Sequence, residues 1–254
     1  MRFAVLIPAR MGSQRLPGKP LASLLGKPLI LHVCERAHAS GADLVLVATD
    51  DERIQAACQA GGFRAELTLA THVSGTDRIA EALTRLDWPD DGIIVNLQGD
   101  EPLMPAGTIR QVAALLDRRE DAELATLCTP IHSLEEFLNP NVVKVVADQQ
   151  GRALYFSRAP IPWDRDGAPA GVQSQQHWQG ALRHIGLYAY RPAALRQLAA
   201  TPACELERIE RLEQLRALWL GMRMLVDPAR EIPGPGVDTP EDLKRAAASL
   251  RQPE

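Results

Sequence analysis

The sequence predicts an α/β fold: a mostly parallel central sheet flanked by helices, with one arm protruding from its second half. Three observations predict it. Phe3–Ile7, Leu44–Ala48 and Ile93–Leu97 are continuous apolar runs, as expected of strands covered on both faces. Helix-patterned segments at about 29–40, 51–61 and 75–86 alternate with them, which implies parallel strands joined by right-handed crossovers. Each run also stops at polar residues: Arg10 to Lys19, Thr49-Asp50, and Gln98 to Asp100. Ligands of such sheets bind beyond the carboxyl ends of the strands.

Composition agrees with a soluble globule. Of 254 residues, 46% are hydrophobic and 24% charged, which excludes a disordered, collagenous or coiled-coil chain. Aromatics supply only 4%, so Leu, Val, Ile and Ala must build the core. The 28 basic and 32 acidic residues give a net charge of −4, against a nucleic-acid partner. That average hides an asymmetry. The first acid is Glu35, and Arg2, Arg10, Arg15, Lys19 and Lys27 precede it. So one-sided a segment calls for an anionic ligand. Cys34, Cys58, Cys128 and Cys204 are scattered, without a C-x-x-C pair, and read as reduced, buried thiols. The apolar run from Phe3 to Ala9 is too short for a signal peptide, and no stretch reaches the roughly 18–20 apolar residues of a membrane span. A cytoplasmic protein without membrane insertion is expected.

In the second half, Val142–Val146 and Ala153–Phe156 read as strands around the turn Asp148 to Gly151. The polar stretch Asp164 to Gly180 reads as a loop or hairpin tip, and Arg183–Tyr190 as the returning strand. Glu205–Leu220 is expected to be one helix, its apolar stripe formed by Leu206, Ile209, Leu212, Leu215 and Trp219. Thr239 caps the last helix, with Pro240 at its first position.

The chemistry gathers first in the loop Pro8 to Pro20. Gly12 and Gly18 allow close backbone approach, Ser13 adds a hydroxyl, and Arg10, Arg15 and Lys19 bring charge without a local counter-charge. A glycine-bearing loop after the first strand is suited to cradling phosphates. It is not a Walker A motif, because five residues separate the glycines and Pro20 stands where Ser or Thr would bind Mg²⁺. The alternative is a solvated basic loop.

The pattern R-x-x-S-x-R-L-P-G-K-P after a first strand resembles the sugar-activating cytidylyltransferases, most closely those acting on 3-deoxy-manno-octulosonate (Kdo). Ser74 to Arg78, Val95 to Pro102, Tyr155 to Trp163, Arg183 to Gly186, Leu212 to Arg216 and Gly236 to Leu243 extend the likeness over nearly the whole chain. The segment Asp164 to Gly180 has no close match. The resemblance implies a Rossmann-like nucleotidyltransferase fold, one domain over 1–254 with a dimerisation arm at about 153–190. The implied reaction is CMP transfer from CTP to Kdo, releasing pyrophosphate, for lipopolysaccharide biosynthesis, by a Mg²⁺-dependent homodimer.

It also implies residue roles. Lys19, Asp100 and Asp238 would be catalytic, the two aspartates sharing Mg²⁺. Ala9, Arg10, Ser13, Arg15, Lys19, Ser74, Asp77, Arg78 and Gln98 would bind CTP. Gln98, Arg158, His184, Tyr188, Glu213 and Gln214 would face the sugar acid. Plainer readings stand beside these. Asp100 and Asp238 also suit loop caps, Asp77-Arg78 a surface salt bridge at a helix start, and His184 and Tyr188 core packing. Arg158, at an apolar strand end, has no comparable structural reading. His184 is one candidate general base. A related acceptor, such as sialic acid or 8-amino-Kdo, and a non-catalytic nucleotide-binding module are the alternatives to the Kdo reaction.

Overall fold

The computed structural model describes residues 1–251 apart from Gln14 and Pro169, with the backbone alone for Gln173. The chain starts with β1 (Phe3–Ala9), buried along its entire length. A small hairpin follows, β2 (Ser23–Leu24) and β3 (Lys27–Pro28), and then α1 (Leu29–Ala39), β4 (Leu44–Thr49), α2 (Glu52–Ala60), β5 (Arg64–Leu67), α3 (Gly75–Thr84) and β6 (Ile93–Asn96). Strands β5, β4, β1 and β6 lie side by side and parallel. The three apolar runs are therefore central strands, and the three helix-patterned segments are the crossovers between them.

Order reverses beside β1. The chain winds outward from β1 to β4 and β5, then returns to place β6 on the other side of β1. That makes the carboxyl ends of β1 and β6 the switch point, where the two connections diverge and leave a crevice. Pro8 lies within β1, just past Leu6↔Asn96, the last pair with β6. Its missing N–H is tolerated there. Two glycines press on this proline. A Cβ at Gly75 would sit 3.0 Å from Pro8 Cγ, and one at Gly99 2.8 Å from the Pro8 carbonyl oxygen.

The rest is mixed. After α4 (Ala106–Asp117) come β7 (Leu124–Pro130), α5 (Leu134–Leu138), β8 (Lys144–Ala147) and β9 (Ala153–Ser157). Strand β10 (Leu182–Tyr190) runs antiparallel to both β6 and β7 and so joins the two halves of the sheet. The predicted turn at Asp148 to Gly151 connects β8 to β9, and β8 also pairs with β10. Then follow α6 (Pro192–Ala200), α7 (Glu205–Glu210), α8 (Gln214–Trp219), β11 (Met224–Pro228), which is parallel to β7, and α9 (Pro240–Arg251).

One expectation is narrowed and one corrected here. The stretch Asp164 to Gly180 takes the loop alternative; its described residues form an irregular segment that includes a short 3-10 turn, Val172–Ser174. Trp178 at its end packs with Ile131, Phe137 and Ala181 in a small cluster of their own. By contrast, Glu205–Leu220 is not one helix. Arg211 adopts a left-handed conformation (φ 55°), which ends α7 and rotates the following turn away from the expected register. Leu212 and Leu215 are buried as expected, whereas Leu206, Ile209 and Trp219 are exposed.

The core is aliphatic, as composition requires, with α1, α2 and α4 on one face of the sheet and α3, α6 and α8 on the other. All four cysteines are buried and free. Thr239 caps α9 reciprocally: its hydroxyl accepts from the Asp242 N–H at 3.2 Å, and Asp242 Oδ2 accepts from the Thr239 N–H at 2.8 Å. Among the described residues no helix is long and apolar enough to cross a membrane.

Candidate active site

A cleft of about 700 Å³ opens at the switch point. The loop after β1 supplies Ala9, Arg10, Gly12, Ser13, Arg15 and Lys19; the start of α3 supplies Ser74, Gly75 and Arg78. Gln98, Gly99 and Asp100 enter from the end of β6, and Asp238 from the loop before α9. A second hollow of about 290 Å³ adjoins it, lined by Asn96, Tyr188, Tyr190, Glu213 and Gln214 among others. Gln98 and Glu213 line both.

The basic loop is shaped locally. Ser13 Oγ accepts from the Leu16 N–H at 3.3 Å, and Gly18 takes the left-handed conformation (φ 68°) that turns the chain into the short helical turn Lys19–Leu21. A Cβ at Gly12 would meet nothing, so packing within the protein does not demand glycine there. The counter-charges missing from the local sequence arrive from far away. Lys19 Nζ donates to Asp100 Oδ2 at 2.5 Å and to Asp238 Oδ1 at 3.0 Å, while Arg15 pairs with Asp238 Oδ2 at 2.9 Å. The two acid loops are themselves joined, the Val237 N–H donating to the Asp100 carbonyl at 2.8 Å. Burial works against the Lys19 ammonium, but the attraction and hydrogen bond of Asp100, and then those of Asp238, hold its pKa above the ordinary lysine value.

Two carboxylates that converge on one cation suit a small hard ion. Magnesium takes one or two carboxylates and fills its remaining positions with phosphate and water. Among the described residues no three His, Cys, Asp or Glu side chains form a metal-binding group, so an all-protein cage is not what these loops build. Asp100 and Asp238 fit magnesium shared with a phosphate.

Several expected positions need correction. Arg78 is neither exposed nor paired with Asp77. It is 2% exposed and donates to Asp50 Oδ2 at 2.8 Å and Thr68 Oγ1 at 2.6 Å, locking α3 to the ends of β4 and β5. Asp77 points away from the main cleft into a neighbouring cavity between α3 and α6. Ser74 caps α3, its hydroxyl accepting from the Asp77 N–H at 3.1 Å. Arg158 lines neither hollow. Its guanidinium is spent on carbonyls, with Nε donating to Glu210 at 2.6 Å and Nη1 to Pro140 at 2.9 Å, while its N–H donates to the Glu210 carboxylate. Arg158 thus has the structural role the sequence did not suggest: it ties the end of β9 to α7.

Around the second hollow the geometry is tighter. Glu213 and Gln214 begin α8, just after the left-handed Arg211, so the break in the expected helix turns them into the hollow. Burial raises the Glu213 pKa, opposed by a hydrogen bond from Thr76. The His184 and Tyr188 rings pack in a tilted arrangement with centroids 5.2 Å apart, and Tyr188 continues to Tyr190 at 5.9 Å. His184 Nε2 lies 3.0 Å from Thr126 Oγ1, a hydroxyl that is also within reach of the Ile185 and Leu187 carbonyls. Those carbonyls claim the hydroxyl proton, so the imidazole Nε2–H is the donor to threonine. Burial pushes the His184 pKa down to about 3, making it a poor proton acceptor. Glu101 was missed by the sequence reading. Burial, then the charges of Asp100 and Asp238, push its carboxyl up to about 8. Asn96, buried at the end of β6, was missed because an amide inside an apolar run carries no local signal.

The family model described as Cytidylyltransferase matches residues 4–224. The chain belongs to the cytidylyltransferase family. It is 56% identical over 253 residues to a 3-deoxy-manno-octulosonate cytidylyltransferase of Alkalilimnicola ehrlichii, covering 98% of this chain and 96% of that one. A protein of the same name from Thioalkalivibrio sulfidiphilus is 55% identical over 251 residues, covering 99% and 100%. Among solved structures, a CMP:2-keto-3-deoxy-manno-octonic acid synthetase complexed with CTP superposes with a TM-score of 0.87 at 40% identity, covering 98% of both chains. A cytidylyltransferase from Leptospira borgpetersenii, 18% identical with a TM-score of 0.63, shares the fold. The cleft of this chain is framed by loops from several strands rather than by one motif.

Proposed function

We infer that this chain transfers CMP from CTP to the anomeric hydroxyl of Kdo, giving CMP-Kdo and pyrophosphate. The observation that carries this reading is the convergence of Lys19, Asp100 and Asp238 at the switch-point cleft. Kinship over nearly the full chain with proteins named for this acceptor supports it. The anomeric oxygen bonds to the α-phosphorus as the bond from that phosphorus to the bridging oxygen breaks. Pyrophosphate leaves with the electron pair, and the hydroxyl proton goes to solvent. Such transfers depend mainly on positioning and charge neutralisation.

Arg10, Arg15 and Lys19 carry the charge that meets the triphosphate, and the open backbone at Gly12 lets it approach. Asp100 and Asp238 would hold magnesium, which when bound neutralises phosphate charge and acidifies the attacking hydroxyl. Tyr188, Glu213 and Gln214 orient the sugar acid, with Gln98 at the junction of the two hollows. His184 supports the Tyr188 ring and stays neutral. The protein acts as a cytoplasmic homodimer and supplies an activated sugar donor for lipopolysaccharide. Trp163, exposed within the expected arm, supports a second subunit covering it.

The test is a pyrophosphate-release panel: Kdo, 8-amino-Kdo and sialic acid, each with CTP or UTP, with magnesium or with chelator. Release is expected for Kdo with CTP and magnesium. A preference for sialic acid or 8-amino-Kdo would replace the acceptor, and no release with any of them would leave a non-catalytic binding module. Light scattering at micromolar concentration should give twice the chain mass; a monomer refutes the dimer.

A further inference from the structure

Lys19 holds the point between Asp100 and Asp238 where a metal ion would have to sit. Its ammonium is 2.5 Å from one carboxylate and 3.0 Å from the other, and Arg15 engages the second oxygen of Asp238 at 2.9 Å. Two carboxylates therefore face two cations from a single loop, and little net charge remains to attract a dication. An ammonium and a dication cannot share the same two oxygens, because the like charges repel at contact distance.

We propose that Lys19 is a built-in placeholder for the divalent ion, so that the free protein binds metal poorly at Asp100 and Asp238 and takes it together with the triphosphate. The nucleotide substrate is thus the metal complex rather than free CTP followed by metal. This rests on the reading of Asp100 and Asp238 as metal ligands. An arriving triphosphate offers Lys19 and Arg15 new acceptors in the same cleft, which also contains the exposed Arg10. Their withdrawal uncovers both carboxylates just as phosphate oxygens arrive to complete a hard-ion shell. By linkage, metal and nucleotide must strengthen each other's binding by the same factor.

Mn²⁺, followed by the loss of its free-ion paramagnetic resonance signal, tests this without turnover. In the absence of nucleotide, Lys19→Met and Lys19→Gln should each bind Mn²⁺ tighter than the natural protein by about tenfold or more, a usual size for coupling between sites. Adding Asp238→Asn to either should cancel the gain, and circular dichroism confirms folding of each variant. Equal Mn²⁺ affinity with and without Lys19 overturns the proposal while leaving the metal assignment intact. With CTP on both sides of a dialysis membrane, so that chelation by the nucleotide itself cancels, the natural protein should retain excess Mn²⁺ and Asp100→Asn should retain none. Failure of that arm removes the metal assignment, and the placeholder with it.

Discussion

The cleft has two unlike walls. The nucleotide wall, from the loops after β1 and β6 and the loop before α9, is exposed, charged and held by ion pairs between distant segments. The proposed acceptor wall, from β10 and the start of α8, consists of packed, partly buried rings and polar groups fixed by packing and hydrogen bonds. The ligands proposed for each account for the difference. Triphosphate charge is large and non-directional, so mobile cations can meet it. A polyhydroxylated acid must be told from its analogues by the placement of single hydroxyls, which needs groups locked before the ligand arrives.

Four substitutions separate the walls. Asp100→Asn disarms the nucleotide wall and should lower the rate of pyrophosphate release by on the order of 10³-fold, the scale of losing a group that stabilises developing charge. Its melting temperature should stay close to the natural value; near-normal turnover would sink the metal assignment. Arg158→Ala removes a clamp belonging to neither wall and should destabilise the fold by about 1–3 kcal/mol in urea unfolding. The KM values for Kdo and CTP should then shift together, and a rise confined to Kdo would return Arg158 to the sugar side. Tyr188→Phe deletes one hydroxyl from the acceptor wall and should raise the KM for Kdo by about tenfold, leaving that for CTP unchanged. A matching change for CTP would mean that the hollows do not divide the substrates.

The remaining test is in pH. His184 has a folded pKa of about 3 against its ordinary 6.5, so the unfolded chain binds more protons between these values. Its contribution to stability is complete above about pH 6.5 and is lost as pH falls toward 3. His184→Asn should flatten that part of the acid-unfolding curve, and an unchanged slope would contradict burial of a neutral ring.

The two walls also differed in how far the sequence revealed them. Residues 10–20 and 98–100 are contiguous segments at strand ends and 74–78 opens a helix, so their meeting in one cleft was legible before any fold was known. The partners within it were not, because ion pairing ignores chain distance: Arg78 lies beside Asp77 in sequence and bonds to Asp50 in space. The acceptor wall depended on details that apolar spacing cannot report. Leu206, Ile209, Leu212, Leu215 and Trp219 suggest an unbroken stripe, yet one left-handed residue, Arg211, splits it and exposes three of the five. Arg158 looked functional because a cation at the end of an apolar strand has no local partner, and its partners are carbonyls about 18 and 52 residues away.

Pro8 is the place where Gly75 and Gly99 bear upon β1. The rigid ring bears on the start of α3 at Gly75 and the Pro8 carbonyl bears on the loop at Gly99, so β1 itself is the bearing between them, with no flexible side chain of Pro8 to absorb error. The relative height of α3 and the acid-bearing loop is therefore set like a machined tolerance. One methyl group at position 99 would be enough to shim the two jaws of the cleft apart.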